Sequence, residues 1–229
     1  MWQGFDTAEV LSAGLASHEL ALREEQSVRG LDALKELQLH ELLAQTCALT
    51  GFGVLREVGF PTLHAATRHS ARPRCDIVLT PMPNQVLIDT LDQQREQTDH
   101  PLFSNLAPRT PQRKDVDPRE CLWIEVKTVA QFTYTHGVPG PNRNYASELV
   151  QALRTDLDKL AADPAIDQGV VVLVLFTDNQ RTARNDVVAA ANRCLDHAAA
   201  IASMSSRSFP ITDRAGNACC TVAAFDVLK

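Results

Sequence analysis

Apolar positions recur along the chain with two periods, and the change from one to the other marks out the expected elements. Residues 8–25 carry a weak helical repeat. From 31 to 49 the repeat is stronger: good helix formers dominate, no proline or glycine interrupts, and Gly51 follows as a stop. Its inner stripe is expected to run Leu34, Leu37, Glu41, Ala44, Ala48, which sets a carboxylate on an otherwise apolar face. Residues 54–60 read as a strand closed by Pro61, and 75–80 as a second strand ended by Pro81 and Pro83. The polar stretch 62–73 between them reads as a hairpin connection. Residues 121–129 form a third strand whose two alternating faces both begin apolar, as expected of a central strand covered on both sides.

After that strand, 130–145 reads as a loop with two glycines and two prolines. Residues 147–162 form an amphipathic helix with Leu149, Leu153, Leu157 and Leu160 inward, ended by Asp163-Pro164. The apolar run 170–177 is a fourth strand, 181–203 a second long helix, and 220–228 a last strand. Three consecutive strands predict an antiparallel meander, and the strand–helix–strand unit behind them predicts a parallel crossover. The expected architecture is therefore α/β, a mixed central sheet flanked by helices, in a single domain spanning 1–229. Residues 82–120 break the pattern: Pro101, Pro108, Pro111 and Pro118 punctuate a polar stretch too long for a core connection. It is read as an insertion, with one short element at 86–88.

Composition narrows the function classes. No stretch approaches eighteen consecutive apolar residues, so no membrane span is expected. The N-terminus has no basic region leading into an apolar block. The six cysteines include no C-x-x-C pair and sit in apolar segments, which points to reduced core thiols rather than a zinc site, and to the cytoplasm. The net charge of −6 argues against non-specific coating of nucleic acid but leaves room for a locally basic cleft. No G-x-G-x-x-G, P-loop or G-x-S-x-G motif is present, which sets nucleotide-binding and serine-hydrolase classes aside.

The chemistry concentrates at Glu125-Val126-Lys127. Residues two apart on a strand share a face, so Glu125 and Lys127 project together. Charges on a buried strand are costly unless they are paired or bound to an ion. Of the five lysines, Lys127 alone follows an acid at this spacing. Asp76 lies in an apolar context on the preceding strand, the expected antiparallel neighbour. Two carboxylates with waters suit Mg²⁺, and a lysine beside them offsets charge on a phosphoryl transition state.

On these residues the chain resembles the PD-(D/E)xK nuclease superfamily, over about 31–178. The matched residues are Asp76 in Arg74-Cys75-Asp76-Ile77-Val78-Leu79 and Glu125-Val126-Lys127 after Leu122-Trp123-Ile124. Cys75 stands where the motif has proline, and the insertion lengthens the gap between the two halves. The resemblance implies a restriction-endonuclease-like αβββαβ core and hydrolysis of DNA with Mg²⁺ or Mn²⁺. It implies Asp76, Glu125 and the Val126 carbonyl as metal ligands, Lys127 positioning the nucleophile, and Glu41 as an additional carboxylate. Gln151 or Lys159 would approach from the following helix. Arg68, Arg72, Arg74 and Arg113 are the candidates for phosphate contact. Double-strand cutting would favour a homodimer. The alternative is a non-catalytic nucleic-acid-binding or assembly protein that keeps the fold.

Overall fold

The computed structural model describes residues 2, 5–62, 72–88, 115–197 and 200–229. Helices α1 (Thr7–Glu24) and α2 (Glu36–Ala48) come first. Strands β1 (Gly53–Gly59) and β2 (Arg74–Thr80) follow. The two-residue strands β3 (Val86–Leu87) and β4 (Asp115–Val116) then pair in parallel across the ends of the polar insertion. Next come β5 (Leu122–Ala130), the hairpin β6 (Phe132–Thr135) and β7 (Val138–Pro141), and α3 (Tyr145–Ala162). The chain closes with β8 (Gln168–Thr177), α4 (Gln180–Asp196), β9 (Ile201–Pro210) and β10 (Cys219–Val227).

Six strands form one mixed sheet in the order β1-β2-β5-β8-β10-β9. β5 and β8 run parallel, joined by α3, and every other neighbour is antiparallel. Helices cover both faces. Leu149, Leu153, Leu157 and Leu160 of α3 pack with Trp123, Val171, Leu173 and Leu175 on one side. Leu11, Leu15, Leu39 and Leu43 of α1 and α2 pack with Ile124, Val126, Val172 and Val174 on the other. The unbroken apolar run in β8 follows from this sandwiching, since successive residues enter opposite cores. All six cysteines are buried and free; burial pushes the Cys47 and Cys121 thiols up to about 12. No helix among the described residues is long and apolar enough to cross a membrane.

Three expectations need correction. The segment expected as a loop at 130–145 contains the β6–β7 hairpin, turned by His136 and Gly137, both at positive φ. The helix expected to reach residue 203 stops at Asp196, and β9 follows as a sheet edge. Its serine-rich sequence is mostly exposed and carries no apolar alternation to read. Finally, α2 begins at Glu36, after a 3₁₀ turn at Leu31–Ala33, so its phase differs from the expected stripe. The buried positions are Leu39, His40, Leu43, Ala44 and Cys47, while Leu37 and Glu41 face solvent. α1 crosses α2 closely at Gly14. A Cβ there would fall 2.1 Å from Thr46 Oγ1, and that hydroxyl is fixed by donating to the Leu42 carbonyl at 2.9 Å.

Candidate functional site

β8 stays paired with β5 from end to end, but β2 does not. The β2–β5 ladder runs from Leu79–Leu122 to Ile77–Ile124 and then stops. The next residues in register are Asp76 and Glu125. Where the ladder ends, a side chain takes over: Asp76 Oδ2 accepts the Val126 N–H at 2.8 Å. The N–H and C=O of one strand residue project to the same edge, so the Val126 carbonyl faces this opening too. On the far side of β2, Arg56 pairs with Ile77 and Val58 with Cys75. Glu57 between them drops out of the ladder and takes the left-handed conformation, φ 52°.

Side chains from both helical layers converge on the opening. From α3, Asp156 is 1% exposed. Its Oδ2 lies 3.2 Å from Lys127 Nζ, and its Oδ1 lies 2.5 Å from Lys159 Nζ. Lys159 also reaches Glu125 Oε1 at 3.4 Å. From α2, Glu36 Oε1 lies 3.7 Å from Lys127 Nζ. His40, also on α2, is buried with Nδ1 3.6 Å from Asp76 Oδ1 and Nε2 3.9 Å from Glu36 Oε1. Neither ring nitrogen has a hydrogen-bond partner among the described residues.

Acids outnumber bases here: Glu36, Glu57, Asp76, Glu125 and Asp156 face Lys127, Lys159 and one imidazole. Burial pushes the Glu125 carboxyl up to about 9; the charges of Asp76 and Asp156 and a hydrogen bond with Asp76 push the same way, against the pull of Lys159. Burial draws Lys127 down, but Asp156, Asp76 and Glu36 outweigh it and hold the ammonium above its ordinary range. Lys159 behaves alike: burial opposes its charge, and its hydrogen bond to Asp156 and the charge of Glu125 win. Both lysines are thus fixed as cations. Asp76, Glu125 and the Val126 carbonyl supply oxygen donors of the kind hard divalent cations take. Glu125 is buried close to Asp76 and Asp156, and a bound cation would relieve the cost of its charge there.

Of the residues singled out from the sequence, Asp76, Glu125, Val126, Lys127 and Lys159 come together. Glu41 does not; it points to solvent, and the α2 side chains at the opening are Glu36 and His40. Gln151 is exposed on α3, two turns from Lys159, and lines one surface depression with it. Arg74 is exposed at the start of β2. Arg72 donates to the Phe60 carbonyl through Nε at 2.7 Å and through a second guanidinium nitrogen, so at least part of its function is to tie the β1–β2 connection. Arg68 and Arg113 lie outside the described residues. Asp156, Glu36, His40 and Glu57 were missed. Asp156 had a signal: it falls between Leu153 and Leu157 on the inward stripe of α3, where an acid needs a partner.

A scan against protein-family models, a search of curated proteins and a search of solved structures each found no match to the chain. The functional reading therefore rests on the residues and their geometry.

Proposed function

We propose that the chain is a divalent-metal-dependent nuclease that hydrolyses DNA phosphodiester bonds, built on a restriction-endonuclease-like αβββαβ core made of α2, β1, β2, β5, α3 and β8. The observation that carries this reading is the meeting of Asp76, Glu125 and Lys127 where β2 and β5 part. Asp76 and Glu125, with the Val126 carbonyl, would hold Mg²⁺ or Mn²⁺. When bound, that ion acidifies a water and draws charge from the phosphate. The protein's own part is positioning. The Val126 N–H fixes one oxygen of Asp76. Asp156 and Glu36 hold Lys127 protonated from two sides, which keeps an N–H donor aimed into the opening for the attacking water or a phosphoryl oxygen. Lys159 offsets the Glu125–Asp156 repulsion and keeps both acids in place.

The test is cleavage of supercoiled and linear DNA with Mg²⁺, Mn²⁺, Ca²⁺ or EDTA. Cutting is expected with the first two alone, and Ca²⁺ should allow binding without cutting. DNA binding with no cutting of any form would replace this reading with the non-catalytic one, and absence of both would remove it.

A further inference from the structure

We propose that His40, Glu57 and Asp76 form a second cation position, distinct from the oxygen set around Glu125, that selects a transition-metal ion such as Mn²⁺ over Mg²⁺. The ligand-capable atoms of these three residues lie within 4.8 Å of one another. Ions of this class sit about 2.0–2.2 Å from nitrogen and oxygen donors, so atoms across one ion stand up to roughly 4.4 Å apart. Closing the remaining gap takes a small adjustment of an exposed side chain, and Glu57 is exposed.

The buried imidazole points to a ligand independently of the acids. His40 is 3% exposed, on the face of α2 that otherwise buries Leu39, Leu43 and Cys47. Buried polar atoms are nearly always hydrogen-bonded. Among the described residues neither nitrogen of His40 has a hydrogen-bond partner, and Nδ1 looks at Asp76 Oδ1 across 3.6 Å. That gap is too long for a hydrogen bond and suits two donors on one ion. The Nε2 side faces Glu36 Oε1 across 3.9 Å, also beyond hydrogen-bond reach.

Asp76 divides its two oxygens accordingly. Oδ2 is held by the Val126 N–H on the Glu125 side, and Oδ1 faces His40. One carboxylate thus borders two donor sets of different character. The set with Glu125 and the Val126 carbonyl is all oxygen, as Mg²⁺ prefers; the set with His40 includes an imidazole, a donor that suits transition-metal ions rather than Mg²⁺. The second position shares Asp76 with the proposed nuclease site but needs neither DNA nor cleavage to be filled.

The experiment titrates metal-free protein with Mn²⁺, following loss of the free-ion electron paramagnetic resonance signal, and repeats it against Mg²⁺ as competitor. Wild type should take up Mn²⁺ at least tenfold more tightly than Mg²⁺. His40→Gln and Glu57→Gln should each weaken that uptake tenfold or more, whereas Glu125→Gln should retain it. Glu57 is solvent-facing on an edge strand, so its variant decides the matter if His40→Gln fails to fold. Unchanged Mn²⁺ uptake in Glu57→Gln, or full competition by equimolar Mg²⁺, would overturn the proposal. The nuclease reading fails separately: Mn²⁺ held by His40 and Glu57 in a protein that cuts no DNA would leave this position standing and that reading lost.

Discussion

The two halves of β5 belong to one strand and serve opposite ends. From Leu122 to Ile124 it is bonded to β2 on one edge and β8 on the other, and both faces are apolar and buried. From Glu125 onward β8 remains and β2 has left, and charged side chains fill the space. The change turns on a single event, the departure of β2 at Asp76. A fully paired strand segment has no vacancy for polar chemistry, because every backbone group is bonded and each face meets a core. Where one neighbour leaves, backbone and side-chain polar groups become available together, while the rest of the sheet keeps them rigid.

The comparison breaks most visibly at its apolar half. Trp123 packs against Phe60 with ring centroids 6.0 Å apart and donates its indole N–H to the Pro118 carbonyl at 2.9 Å. Trp123→Ala should cost about 3–5 kcal/mol in denaturant unfolding. A loss below about 1 kcal/mol would mean that this half is not core. At the polar half, Lys127→Ala should lower DNA cleavage about 10²–10³-fold, the equivalent of roughly 3–4 kcal/mol in the barrier. Its far-ultraviolet circular dichroism should match wild type; a collapsed spectrum would make Lys127 a structural residue instead.

Glu125→Gln sharpens the contrast through pH. With its folded-state value raised from 4.5 to about 9, Glu125 favours the fold when protonated. Its contribution is present in full below about pH 4.5 and is lost progressively as pH rises toward 9. In metal-free protein, the glutamine variant should therefore be more stable than wild type at pH 8, by on the order of 2 kcal/mol, with the gain fading toward pH 4.5. Melting curves across that range would check it, and a gain that grew as pH fell would refute the sign. Glu41→Gln should do least: a stability change within about 0.5 kcal/mol and no change in cleavage. An inactive Glu41→Gln protein would restore Glu41 to the site.

The sequence made the strands of the buried sheet legible because double burial writes itself as continuous apolar runs, as in β8 and the first half of β5. It also exposed the acid-x-lysine pair, since two charges sharing a face of a buried strand contradict their surroundings. It failed where phase or pairing decides. Glu41 and Glu36 differ by five residues on one helix, and locating the start of α2 was needed to choose between them. Glu57 sits near Asp76 through strand pairing and an unusual backbone angle, neither of which leaves a mark in composition. β9 and the β6–β7 hairpin bury too little apolar surface to announce themselves.

Gly14 sets the distance between two helices, and its influence extends beyond the contact it makes. α2 rests on α1 there with no room for even a methyl group against Thr46. The same helix carries His40 and Glu36 to the opening, about 1.7 and 2.8 turns from Thr46. Position 14 acts as a spacer of zero thickness. Any side chain inserted there becomes a shim that displaces α2 as a lever, and the imidazole would shift against Asp76 although no residue of the site had changed. A change at a small, chemically silent position on the first helix would therefore reach the His40–Asp76 pair through the backbone of α2 alone.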